Sequence, residues 1–144
     1  RLSGEGEAGG QGAPNGDLYV HVSVRPHPIF ERQDAHLSIR VPVRMTQAAL
    51  GGEVEVPVID GTRAKVKIPA GTQGGTVFRL KDKGMASLNS TRKGDLHVTV
   101  QVEVPTKLNS EQQDKLKAFA ESIGEKNSPM QESFFSKAKK FFDL

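Results

Sequence analysis

The stretch GDLYVHVSV at residues 16–24 returns 78 residues later as GDLHVTVQV at residues 94–102. At that offset the match runs further: Arg1/Arg79, Leu2/Leu80, Gly6/Gly84, Ala8/Ala86, Gly16/Gly94, Asp17/Asp95, Leu18/Leu96, Val20/Val98, Val22/Val100 and Val24/Val102 are identical. Two unrelated valine-rich strands would share the valines, but not the gap-free spacing of Arg-Leu, both glycines and Gly-Asp-Leu. A repeat of this length reads as one supersecondary unit used twice. In the second copy about fifty residues lead into the matched segment, beginning near Ile29 or Leu37. In the first copy almost nothing precedes it. The expectation is therefore a fragment cut inside the first of two tandem β units, with residues 16–24 as the closing strand of that first unit.

Alternation with period two carries most of the chain. Leu18, Val20, Val22 and Val24 face one way; so do Leu37, Ile39, Val41 and Val43, with Arg40 and Arg44 opposite. Pro26 and Pro28 cannot donate to a ladder and interrupt the pattern between those runs. TQAALGG reads as a short helical turn, with Thr46 as cap and Gly51 as stop. Val54, Val56 and Val58 precede the hairpin signal Asp60-Gly61, and Ala64, Val66 and Ile68 follow it, with Arg63, Lys65 and Lys67 outward. TVFRL and the run Leu96, Val98, Val100, Val102 complete a mainly β pattern: a small antiparallel sandwich or barrel. After Pro105 the period becomes helical. Asn109 or Ser110 can cap a helix with Leu108 as a staple, and Leu116, Phe119, Ala120 and Ile123 line one face. The divisions expected are 1–27 for the end of a first β unit, 28–104 for a second, and 105–144 for helices.

Composition removes several function classes. With no cysteine, disulfides, thiol catalysis and cysteine-based zinc sites are excluded. No run of eighteen apolar residues is present, so no membrane-spanning helix is expected. His21, His27, His36 and His97 lack metal-ligand spacing, and Asp17 and Asp95 each follow a glycine at a strand start, where a turn role outweighs catalysis. GEGEAGGQG lacks the lysine of a phosphate loop and carries carboxylates that repel phosphate. No enzyme is expected. Residues 25–93 hold 12 Lys and Arg against 6 Asp and Glu. Apart from Phe30 and Phe78 that block has no stacking aromatics, which disfavours nucleic acid. A nucleic-acid-binding β-barrel nonetheless remains the alternative.

Of seven phenylalanines, four fall in the last eleven residues. Helical geometry sets Phe134 and Phe141 about 20° apart and Phe135 and Phe142 likewise, with about 100° between the stripes. One stripe is expected to seal the chain's own core and the other to meet a second copy, so Leu116, Phe119, Ile123, Phe134, Phe135, Ala138, Phe141 and Phe142 form the expected dimerisation set.

GEGEAGGQGAPNGDLYV, RPHPIFER, AALGGEVEVPVIDG, KIPAGTQGGTVFRLKDKGM, KGDLHVTVQVEVPTKLN and SFFSKAKKFF together resemble the C-terminal region of bacterial-type DnaJ co-chaperones. The resemblance covers essentially the whole chain. It implies two tandem β-rich barrels, a dimerising helical tail, and capture of unfolded polypeptide for a DnaK-type chaperone by strand addition. It also implies that Leu18, Val20 and Val22 form one wall of a client groove; the repeat alone adds the expectation of a weaker site on the second barrel. A DnaK-stimulating His-Pro-Asp tripeptide and a cysteine-rich zinc module have no counterpart in this sequence, so no cofactor is expected here. The implied setting is the bacterial cytoplasm, or alternatively the mitochondrial matrix. A purely structural dimer module without client affinity is the third possibility.

Overall fold

The computed structural model describes residues 1–19, 25–87 and 91–143. Its β elements are β1 (Glu31–Gln33), β2 (His36–Arg44), β3 (Gly52–Pro57), β4 (Arg63–Ile68), β5 (Val77–Leu80) and β6 (Leu96–Glu103). The helices are α1 (Met45–Leu50), α2 (Ser110–Ser122) and α3 (Pro129–Phe142), with a 3-10 turn at Glu125–Asn127 between the last two.

Two sheets form, one in the order β1-β2-β6-β5 and one of β3-β4. Alternation decides their inner faces. Leu37, Ile39 and Val43 of β2, Leu96, Val98 and Val100 of β6, and Val56, Val66 and Ile68 of the hairpin close one core with Phe30 and Ala48. Phe78, Leu80 and Met85 pack against its edge. Each fully buried Val, Leu or Ile contributes roughly 1.5–3 kcal/mol relative to exposure. The mainly β class with C-terminal helices holds, as two packed sheets rather than a closed barrel.

Within it, β2 and β6 pair in parallel, from Leu37↔Leu96 to Arg44↔Glu103. Alternation gives the inward face of a strand but not its direction. A parallel pair needs a long crossover, and here α1, the β3-β4 hairpin and β5 supply it. The helical turn is also capped differently from expectation. Arg44 is the N-cap of α1 and no side-chain cap bond forms, because β2 runs straight into the helix and Thr46 already lies inside it. Gly51 stops α1 at φ 83. At α2, Asn109 caps with a reciprocal bond to Gln112. The residue a staple would use is Gln113, whose side chain donates to the Leu108 carbonyl, so Leu108 turns elsewhere.

At the β3-β4 turn the Asp60 carboxylate accepts from the Thr62 hydroxyl at 2.6 Å and the Thr62 N–H at 2.9 Å. Those bonds, foremost the hydroxyl's, hold the Asp60 carboxyl below the usual carboxylate range. A folded-state value below the unfolded one gives stability that is present above the unfolded pKa and lost as pH falls through the folded one. Asp60→Ala should therefore lower Tm slightly at neutral pH and flatten the acid side of a stability-pH curve below about pH 4. Thermal melts across that range check it.

Candidate functional site

The repeat survives in three dimensions. Leu2 and Leu18 exchange backbone bonds of 2.6 and 2.8 Å, as an isolated bridge at the position where Leu80 pairs with Leu96. The Gly6 N–H donates to the Gly16 carbonyl at 2.7 Å, and the Gly84 N–H to the Gly94 carbonyl at 2.8 Å. Asp17 pairs with Arg1 and accepts the Gly4 N–H; Asp95 pairs with Arg79 and accepts the Asp82 N–H. Both aspartates thus clasp a turn, the role their position after glycine suggests. Gly4 and Asp82 share a positive φ, 76 and 62.

The two copies differ in what covers them. Leu96 is fully buried, whereas Leu18 is 42% exposed. A Cβ on Gly94 would stand 2.1 Å from the Ala35 carbonyl oxygen; on Gly16 its nearest neighbour among the described residues would be 3.9 Å away. Of the expected groove wall only Leu18 can be placed, since Val20 and Val22 lie outside the described residues.

A second surface runs along β2. β1 pairs only with residues 36–38 of that strand. Beyond Glu31 the chain bends away through Pro28 and Ile29, anchored by Phe30 in the core and by the His27 ring 5.0 Å from Phe30. A trough of about 390 Å³ opens there, lined by His27, Pro28, Ile29, Ser38, Arg40 and Thr99 among others. Because the Leu37 N–H donates to the Asp95 carbonyl, the odd residues of β2 bond to β6 and the even ones turn their peptide groups to the other edge. Past Ser38, Arg40 and Pro42 therefore lie on an edge with no partner strand among the described residues.

The helices leave an extended apolar surface. Leu116 and Phe119 of α2 face Met45, Ala49 and Leu50 of α1 across a groove of about 480 Å³, floored by Pro105 and Leu108. Ile123 and Phe135 line one hollow at the elbow between α2 and α3. On α3 neither phenylalanine stripe is sealed: exposures are 64% at Phe134, 58% at Phe135, 71% at Phe141 and 81% at Phe142. The rings only pair edge to face with their neighbours, Phe134 with Phe135 at 5.2 Å and Phe141 with Phe142 at 5.5 Å. The expectation that one stripe packs on the chain's own core is corrected. α3 buries no residue, and its main contact is with the 3-10 turn that directly precedes it. Ala138, between the stripes, is half-buried.

Comparison with known families decides what this architecture is. The DnaJ C terminal domain matches residues 1–105, and the Chaperone protein DnaJ C-terminal region matches residues 111–143. The chain belongs to the DnaJ family. It is 60% identical to the Chaperone protein DnaJ of Acidiphilium cryptum, 56% to that of Acetobacter pasteurianus and 54% to that of Gluconacetobacter diazotrophicus, each over 99% of this chain. It spans about 38% of the first two relatives' length. Among the described residues no helix of this DnaJ segment is long and apolar enough to cross a membrane.

The sequence missed the α1–α2 groove of this DnaJ segment. Met45 and Leu50 come from α1 and Leu108 from the stretch before α2, and no single periodicity marks them. It also missed Phe30, buried although it lies in a proline-broken stretch. That residue's one legible signal was an aromatic directly before a strand.

Proposed function

We propose that this chain is the client-binding and dimerising part of a DnaJ-type co-chaperone, which captures unfolded polypeptide in the cytoplasm for a DnaK-type partner. The observations that carry the reading are the four exposed phenylalanines on α3 and the apolar α1–α2 groove. Monomeric proteins rarely expose contiguous apolar patches of that kind without a binding role. A second copy covers α3 in this reading, with the expected set from Leu116 to Phe142 at the contact.

Clients add a strand. The first unit offers the face of Leu18, Val20 and Val22; the second offers the open edge of β2, where main-chain bonds capture an extended segment with little regard to its sequence. Weak sites joined in a dimer gain effective concentration, so each need not bind tightly.

A reduced, permanently unfolded protein and a single-stranded oligonucleotide, each fluorescently labelled, test the reading. The unfolded protein should bind at micromolar chain, with an affinity that changes little between low and physiological salt. Oligonucleotide binding with a steep salt slope and no retention of unfolded protein would overturn it in favour of a nucleic-acid module. A dimer that retained neither probe would make this a structural module only.

A further inference from the structure

The open edge of β2 has two unlike faces. Ile39, Val41 and Val43 point to the core side, all buried or half-buried, while Arg40, Pro42 and Arg44 point to the outer side. Across the sheet from Arg40 stands Thr99, an uncharged neighbour. Among the described residues neither Arg40 nor Arg44 forms an ion pair, although Glu103 is the register partner of Arg44. Arg40 also lines the trough, whose one carboxylate, Glu31, sits opposite Ser38 rather than Arg40.

Pro42 sets the extent of any added strand. Its peptide group faces the open edge, but it has no N–H to give, the placement by which proline blunts sheet edges. An incoming segment therefore finds the N–H and C=O of Arg40, the C=O of Pro42 and the N–H of Arg44. Its pairing is short and runs from Arg40 to Arg44.

We propose that the β2 edge of the second unit selects short extended segments in which apolar residues alternate with acidic ones. The apolar residues would continue the face of Ile39 and Val41, and the carboxylates would stand beside Arg40 and Arg44. Cross-strand pairs of opposite charge stabilise a sheet, and like charges directly opposite destabilise it. The proposal rests on the reading that this edge captures clients, and it adds the chemistry of the client.

Three labelled peptides in which valine alternates with glutamate, with glutamine or with lysine test it by fluorescence anisotropy on the intact chain. The glutamate peptide should bind about fivefold tighter than the lysine peptide, with glutamine between. Arg40→Glu, an exposed position whose change leaves the core intact, should invert that order. Pro42→Val restores one edge donor and should tighten all three peptides by about threefold. An unchanged order in Arg40→Glu, or equal binding of the three peptides to the intact chain, overturns the charge selection while leaving strand capture standing. Failure of every peptide to bind overturns the capture reading as well.

Discussion

Gly94→Ala should destabilise the chain by about 3 kcal/mol or more, whereas Gly16→Ala, the same change at the same position of the repeat, should stay within about 0.5 kcal/mol. The difference lies in what each glycine touches. At Gly94 an added Cβ would stand 2.1 Å from the carbonyl oxygen and 2.4 Å from the carbonyl carbon of Ala35, and 2.9 Å from the His36 nitrogen. All three are backbone atoms, of the turn between β1 and β2 and of the first residue of β2, so no side-chain rotation relieves the overlap. That turn is itself held: the Ala35 carbonyl accepts the Met85 N–H at 2.7 Å, and the His36 Nδ1 accepts the Asp95 N–H at 3.0 Å. Moving it breaks the entry into both central strands. At Gly16 the nearest atom among the described residues is the Glu7 carbonyl oxygen, at an ordinary contact distance of 3.9 Å. Urea unfolding of the two variants, compared at constant m, checks the pair. Equal losses would mean that the close approach at Gly94 does not set the fold.

Strand alternation exposed the inward faces of β2, β4 and β6 residue by residue, because a side-chain period of two needs no tertiary information. The offset of 78 exposed Arg1/Arg79 and Asp17/Asp95 as matched positions, and the structure adds that each arginine pairs with its aspartate. Neither alternation nor the offset could give strand direction. The parallel pairing of β2 with β6 depends on how far the crossover travels, and both directions bury the same valines. The candidate surfaces were legible only in part. Leu116, Phe119 and the α3 phenylalanines stand out as an apolar stripe. Their separation from the sheets does not, since an amphipathic helix has the same pattern whether its own core or another chain covers it. Arg40 was legible as an outward residue, but its place on an unpaired edge depends on the bend at Pro28 and Ile29.

The second large effect concerns the tail. Replacing Phe134, Phe135, Phe141 and Phe142 by serine should lower retention of a long unfolded client by about 100-fold, while a short peptide long enough for one site should bind as before. Nothing in α3 is buried, so the β unit should keep its stability in this variant, and its urea midpoint supplies the control. The loss would come from avidity, because a client that leaves one protomer's site would no longer find its partner's within reach. Equal retention by the variant would mean that single sites hold clients unaided.

Avidity, client capture and the use of α3 all rest on two copies joined through the tail. The mass in solution of the intact chain, set beside that of a chain ending at Gly124, tests this most directly. At micromolar concentration the intact chain should sediment at about twice its 15.6 kDa, and the shortened one as a single protomer. An intact chain that sediments as one protomer, or a shortened chain that still sediments as two, would contradict the account.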